Sequence, residues 1–69
     1  MKEVKIETEF IKLDQLLKFA GITETGGQSK MIIKDGLVKV NGELTKARGT
    51  KIKKGDTVEI KNMESFIVI

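Results

Sequence analysis

The residues of this sequence that could do chemistry are cationic and lie mainly in its middle. The segment from Gln28 to Lys54 holds eight basic residues and two acidic ones, a net charge of +6, while the rest holds five basic and eight acidic residues, a net charge of −3. Such segregation is typical of a protein face that binds a polyanion. Lysine is also common on the surfaces of small proteins, so the charge alone leaves a solubilising role open.

Catalytic and metal-binding side chains are scarce. The chain has no histidine and no cysteine, which removes the usual general base, the commonest metal ligand, disulfides and thiolate zinc sites. The acidic residues are scattered singly, and a chain of 69 residues has little room for a deep catalytic cavity. We therefore predict a protein that is not an enzyme and has no metal site, no cofactor and no small-molecule substrate.

Length and hydropathy predict a single domain over residues 1–69. No apolar run approaches the roughly 20 residues of a membrane span. The N-terminal stretch MKEVKIETEF carries acids and lacks the apolar stretch of a signal peptide. We expect a soluble cytoplasmic protein that is a monomer and has no membrane partner.

A helix is predicted to begin after Thr25. Thr25, Gly26, Gly27 and Gln28 form a T-x-x-Q capping box, in which the threonine hydroxyl accepts from the glutamine amide and the glutamine side chain reaches back to the threonine amide. The helix should run from Gly26 to about Asp35. Its inner face consists of Ser29, Ile32 and Ile33.

The start of this helix is a candidate anion site. A helix N-terminus exposes unpaired N–H groups and a partial positive charge, and Gly26 and Gly27 have no Cβ to keep a phosphate away. Lys30 and Lys34 share an outer face with Gly27. Alternatively, the glycines only relieve crowding where two short helices meet. A basic loop over 46–54 favours the anion site if it folds toward this helix.

The other elements follow from hydrophobic periodicity. Alternation predicts one strand over 3–11, and an apolar stripe over 13–20 predicts a short helix that ends at Gly21. The Asn41-Gly42 pair after LVKV is a strong hairpin signal, and TVEI and SFIVI read as two further strands. The predicted fold class is α+β, with two short helices packed on a small antiparallel sheet that includes a β-hairpin.

Individual cations differ in how well they suit a phosphate. Arg48 is the only arginine, and its planar guanidinium can bind a phosphate through two parallel hydrogen bonds. Lys51 is a comparable candidate from the same loop. Lys53 and Lys54 are more typical of a solvated edge. Lys39 either contacts a ligand or protects an edge strand from aggregation.

The aromatic residues bear on the mode of binding. There is no Trp or Tyr, and Phe10, Phe19 and Phe66 all stand in apolar contexts. A stacking platform for bases, such as single-strand binders use, is therefore not expected. Recognition should rely on backbone phosphates and shape, with little base readout.

Four ordered motifs resemble one known family. The pattern KLDQLLKFAGI…T…SKMIIKDGLVKVNGE…KIKKGDTVEI spans Lys12 to Ile60 and resembles the S-four-type RNA-binding domain, the α-L motif of a ribosomal small-subunit protein. The "GG" before the second helix and the "RG-x-K" before the last strands are similar to the small free-standing bacterial YaaA/YbcJ-type members. Each motif alone is weak, but the ordered set of four is fairly specific.

The resemblance implies an RNA-binding module that grips structured ribosomal or tRNA-like RNA with its helices and hairpin, mainly through phosphates. Lys12 occupies the place of the family's first arginine, Thr25 its capping position and Lys30 a commonly basic position. Gly26 stands where larger members usually have arginine, so a bare helix start together with the basic loop is expected to replace that contact. The predicted RNA-binding residues are Lys12, Thr25, Gly26, Gly27, Gln28, Lys30, Lys34, Lys39, Arg48 and Lys51.

Three alternatives follow from the same residues. The basic face could meet an acidic protein partner, which would make the chain a protein-interaction module. It could also bind duplex DNA. A β-grasp sulfur carrier shares VNGE and GDTVEI but ends in Gly-Gly, whereas this chain ends in FIVI, which disfavours that class.

Overall fold

Two helices and seven strands make up the computed structural model, which describes residues 1–69. The helices are α1 (Leu13–Phe19) and α2 (Gly26–Lys34). The strands are β1 (Lys2–Val4), β2 (Phe10–Lys12), β3 (Val38–Val40), β4 (Glu43–Leu44), β5 (Lys51–Lys53), β6 (Thr57–Ile60) and β7 (Ser65–Val68). Neither helix has the length and apolar character that a membrane span requires.

The strands form one mixed sheet and one separate ribbon. The sheet has the order β1-β7-β6-β3-β4, in which only the β1–β7 pair is parallel, and β2 pairs with β5 in an antiparallel ribbon. The α+β class and the antiparallel strands that follow the helices are confirmed. The parallel edge strand and the ribbon are additions that local periodicity did not indicate.

The prediction of one strand over 3–11 is wrong. The chain pairs with β7 only as far as Val4, and Ile6 then donates its amide to the Ile69 carbonyl at 3.0 Å. A bend over 7–9 follows, and the chain resumes as β2 against a different partner. Ile6 stays buried, so the alternation of side chains continues through a point where the pairing changes.

One hydrophobic core joins the helices, the sheet and the ribbon. Leu13, Leu16 and Leu17 of α1 and Ile33 of α2 are fully buried, which confirms the apolar faces predicted for both helices. The remaining core residues are Val4, Ile6, Val38, Ile52, Val58, Ile60, Phe66 and Val68. Burial of a Leu or Phe side chain stabilises the fold by roughly 1.5–3 kcal/mol, so these residues hold the elements in place.

The hairpin between β3 and β4 turns as predicted. Asn41 and Gly42 have φ angles of +52° and +84°, which is the left-handed conformation that both central residues of a type I′ turn require. The Asn41 side chain also donates to Asp56 at 3.0 Å and accepts from the Thr57 amide at 2.9 Å. Asn41 therefore joins the hairpin to the start of β6 in addition to forming the turn.

Candidate nucleic-acid interface

The β2–β5 ribbon carries a basic outer face. In its register Phe10 pairs with Lys53, Ile11 with Ile52, and Lys12 with Lys51. Ile52 is fully buried and Ile11 packs against the core. Because strand side chains alternate between faces, the other four side chains point outward: Phe10, Lys12, Lys51 and Lys53, which we call the ribbon face.

The structure brings two predicted site residues together as direct neighbours. Lys12 and Lys51 lie opposite each other across the ribbon, although 39 positions separate them in the sequence. The prediction of a loop over 46–54 is therefore wrong for its last part, because Lys51–Lys53 forms a strand whose central residue, Ile52, is buried. Like charges directly opposite each other on a sheet are destabilising. The fold therefore carries a small cost at this pair.

A braced loop holds Arg48 beside the start of α1. The Leu13 amide donates to the Thr50 carbonyl at 2.9 Å, and the Asp14 amide donates to the Arg48 carbonyl at 3.1 Å. The Thr50 hydroxyl donates to the Ala47 carbonyl at 2.6 Å, which closes the loop on itself. Since α1 directly follows Lys12, these bonds place the backbone of Arg48 next to the Lys12–Lys51 pair. We call Lys12, Arg48 and Lys51 the basic cluster.

The start of α2 is capped as predicted, with one difference. The Thr25 hydroxyl accepts from the Gln28 amide at 3.1 Å, but the Gln28 side chain accepts from the Glu24 amide at 2.7 Å and not from that of Thr25. The amides of Gly26 and Gly27 have no acceptor within the protein. The helix start is therefore open, and Thr25 and Gln28 have structural roles there.

Lys46, at the start of the basic loop, lies at the opposite end of α2 from this helix start. A Cβ added at Gly36, just beyond the C-terminal end of α2, would lie 3.5 Å from Cε of Lys46. The loop thus meets the end of α2, while Gly26 and Gly27 lie at the opposite end of a nine-residue helix, about 13 Å away. The backbone bonds from Leu13 and Asp14 hold the Arg48–Thr50 part of the loop at the start of α1.

The lysines of α2 lie along its exposed side. Lys30 and Lys34 are both exposed and stand four residues apart, so they are neighbours on one face. Lys34 is in the last turn, near the end that the Lys46 side chain reaches. These two side chains therefore extend from the open helix start toward the end where the basic loop lies.

Lys39 lies apart from the other predicted site residues. Val38, its neighbour, is buried in the core, so Lys39 points to the outer face of the sheet, where its direct cross-strand neighbours are Glu59 and Leu44. It lines a groove of about 580 Å³ together with Leu44 and Met63. Its charge faces a carboxylate, unlike the charges of the basic cluster.

No acidic side chain neutralises the basic cluster by a direct ion pair. The two salt bridges of the protein join Lys2 to Glu64 at 3.8 Å and Lys5 to Glu7 at 4.0 Å, both outside the cluster. No group of three acidic side chains converges as metal ligands would. The arrangement suits an external anion better than a bound cation.

Asp56 positions the end of the ribbon, and sequence reasoning missed its role. Its carboxylate accepts from the Lys53 amide at 2.8 Å and from the Asn41 side chain at 3.0 Å. The Lys53 amide bond, followed by the Asn41 bond, holds the pKa of Asp56 below its ordinary value. The residue thereby connects β5 to the β3–β4 hairpin.

Two of the three phenylalanines lie at the surface. Phe66 is fully buried, but Phe10 and Phe19 are 41% and 60% exposed. The prediction of apolar surroundings is therefore confirmed for Phe66 and wrong for the other two. Nζ of Lys51 lies 4.8 Å from the centroid of the Phe10 ring, so an aromatic side chain stands within the ribbon face.

Comparison with known proteins gives a consistent result. A family model described as "S4 domain" matches residues 4–69. RlbA of Bacillus subtilis, named as a probable ribosome maturation protein, is 41% identical over 66 residues, which cover 96% of this chain and 93% of that protein. YbcJ of Escherichia coli, named as a candidate RNA-binding protein, is 42% identical over 48 residues, which cover 70% of this chain and 69% of that protein.

The fold also matches a solved structure. The crystal structure of the 30S ribosomal protein S4e from Thermoplasma acidophilum superimposes with a TM-score of 0.74 at 23% identity, covering 91% of this chain and 33% of that chain. At this identity the likeness shows a shared fold. The two helices, the hairpin and the following strands therefore form an arrangement that also occurs inside a larger ribosomal protein.

Proposed function

Because this chain belongs to the S4 domain family, we propose that it is a non-catalytic module that binds structured RNA in a ribosome-related role. It recognises the phosphate backbone and the shape of ribosomal or tRNA-like RNA. The names of two relatives, one a probable ribosome maturation protein and one a candidate RNA-binding protein, support this proposal. We further infer that the chain acts in the cytoplasm, as one domain and as a monomer.

The observation that carries the proposal is the basic cluster. Lys12 and Lys51 are direct cross-strand neighbours, and such neighbours have Cβ atoms about 4.5–5.5 Å apart. Arg48 stands beside them because its carbonyl accepts from the α1 amide of Asp14. Three cations without acidic partners, held by strand pairing and backbone bonds, form a preorganised site for a phosphate strand.

The exposed side of α2 extends this surface. Lys30 and Lys34 supply two further cations, and the free amides of Gly26 and Gly27 lie at the far end of the same helix. We propose these four residues as a second line of backbone contacts. The predicted RNA contacts of Thr25, Gln28 and Lys39 stay predictions, because the first two act as caps and the third faces Glu59.

The proposal is tested by titrating a structured RNA with the protein at several salt concentrations. Neutralisation of three to five phosphates gives a plot of log K against log salt with a slope of about −2 to −5, at roughly 0.7–0.9 per phosphate contact. A slope near zero would contradict a phosphate-based mechanism. Duplex DNA of the same length, at equal salt, measures the preference between the two nucleic acids.

A second experiment distinguishes RNA from an acidic protein partner. The tagged protein is purified from cells with and without ribonuclease treatment. An RNA-mediated association is lost after the nuclease, whereas a direct protein partner stays bound. Retention of one stoichiometric protein after complete RNA digestion would favour the protein-interaction alternative.

A further inference from the structure

Phe10 is an aromatic residue that lies outside the hydrophobic core. Its neighbour Ile11 packs against the core, so Phe10 points away from it, and its side chain is not among those packed on the core cluster. The residue is 41% exposed. The residue keeps a contact with Lys51, but it lies outside the core cluster, so its stabilising role is small.

Lysines surround this ring on the ribbon face. Lys53 is its direct cross-strand partner, Lys12 lies two residues along the same strand, and Nζ of Lys51 stands over the ring at 4.8 Å from its centroid. A cation above an aromatic face is attracted by the ring quadrupole. An aromatic face with flanking cations is also the arrangement that proteins use to stack a base and hold its phosphates.

We propose that Phe10 is a stacking platform for an unpaired base of the bound RNA. The Lys51 side chain moves from its position over the ring to bind a phosphate, and the base stacks on the phenyl ring in its place. Lys12 binds the phosphate on the other side of that nucleotide. This inference rests on the proposed function and narrows its substrate class. The preferred RNA has an unpaired nucleotide, in a bulge or a loop, next to a helical segment held by the basic cluster.

The charges around the ribbon determine how the RNA is oriented on it. Glu7 and Glu9 line a shallow hollow together with Lys53 and Lys54, so the two lysines at that end of the ribbon have carboxylates close by. The opposite end carries Lys12 and adjoins Arg48 and, in the first turn of α1, Asp14, which forms no salt bridge with either of them. The helical part of the RNA therefore lies at the Lys12 end, and the stacked nucleotide marks its boundary.

The test compares two RNA stems that differ by one bulged nucleotide. Phe10→Leu keeps an apolar side chain but removes the ring, and Phe19→Leu is the matched control at the other exposed phenylalanine. Phe10→Leu should weaken binding of the bulged stem at least about fivefold, the lower end of the effect of a stacked base, with binding of the continuous stem unchanged. Phe19→Leu should change neither. Equal effects of Phe10→Leu on the two stems would overturn the inference.

A fluorescence measurement gives an independent readout. The chain has no Trp or Tyr, so Phe10→Trp introduces a single fluorophore at the ribbon face, and Phe19→Trp introduces one elsewhere. The bulged stem should quench the first variant strongly, while the continuous stem should not, and the second variant should respond to neither. Equal quenching of Phe10→Trp by both stems, or none, contradicts base stacking.

Binding of the two stems by the wild-type protein distinguishes a failure of this inference from a failure of the proposed function. If the wild type binds both stems with the expected salt dependence and Phe10→Leu binds them as well as the wild type, only the stacking inference fails. If the wild type binds neither stem, the proposed function fails with it. The Phe10 variants should stay folded, with an unfolding transition close to that of the wild type, since the ring lies outside the core and Phe10→Leu loses only the contact with Lys51.

Discussion

Removal of the Lys12–Lys51 pair should weaken RNA binding without harming the fold. In the double variant Lys12→Gln, Lys51→Gln, two cations without acidic partners are lost from one site. Each phosphate contact adds roughly 0.7–0.9 to the salt slope, so the slope should become shallower by about 1.4–1.8. Over the tenfold range from 1 M to 0.1 M salt, a slope difference of this size corresponds to a loss of about 25- to 60-fold in affinity.

The matched control is the double variant Lys2→Gln, Lys5→Gln. It lowers the net charge by the same amount, but these lysines lie at the N-terminal edge of the protein and pair with Glu64 and Glu7. Its salt slope should stay near that of the wild type. The comparison therefore separates a positioned contact from a general effect of net charge.

Stability gives a second readout of the same pair. Because Lys12 and Lys51 are like charges in direct opposition, Lys12→Gln should leave the free energy of unfolding unchanged or raise it by up to about 1 kcal/mol. Lys51→Gln also removes the contact with the Phe10 ring, which is worth about 0.5–1 kcal/mol at an exposed site, so this variant should show no gain.

The assay combines a salt-dependent binding titration with urea unfolding of each variant. The reasoning predicts weaker binding together with unimpaired stability, which is the pattern of a site kept for function. Equal salt slopes for the two double variants would refute it. So would a marked loss of stability in Lys12→Gln, since the pair would then support the fold.

Two further predictions concern residues that hold the ribbon and α2 in place. Asp56 has a folded-state pKa below its ordinary value of 3.8, so its contribution to stability is present above pH 3.8 and is lost as the pH falls through the folded-state pKa. The urea midpoint, measured from about pH 5 down to pH 2, should therefore fall less in Asp56→Asn than in the wild type. Parallel curves for the two proteins would contradict this. Thr25→Ala removes the hydroxyl that caps α2 and should cost about 0.5–2 kcal/mol of stability, with most of it restored by Thr25→Ser; an unchanged unfolding midpoint in Thr25→Ala would show that the cap contributes nothing.

The helices and the hairpin were predictable because their signals are local. The capping box at Thr25, the apolar stripe of α1 and the Asn41-Gly42 turn each lie within a few residues of the structure that they determine. These features depend mainly on sterics and hydrogen bonds within the segment itself. The family resemblance rests on the same segments, and the family match confirms it.

The ribbon could not be predicted, because its pairing is not local. Phe10 and Lys53 are 43 positions apart in the sequence, and each strand has three residues, too few for a periodic pattern. The only sequence signal of β5 was the alternation of Lys51, Ile52 and Lys53. Within a basic segment, this short alternation is also typical of a loop. The direction of the loop was likewise decided by its bonds to α1, which no local motif encodes.

The candidate site was therefore predicted in part. Charge and family resemblance identified Lys12, Arg48 and Lys51, but the sequence could not show that two of them are cross-strand neighbours. Phe10 was missed because its exposure depends on which face of the ribbon turns inward. Since Ile11 takes the inward position, Phe10 must take the outward one.

The most direct test of the basic cluster as the RNA-binding surface is an NMR titration of the labelled protein with a structured RNA. The account predicts that the largest amide shift changes occur at Lys12, Arg48 and Lys51, with smaller ones along the exposed side of α2. Residues of β1 and β7, the two strands that pair at one side of the five-stranded sheet, should stay unperturbed. Changes that concentrate on β1 and β7 and leave the ribbon unaffected would contradict the account.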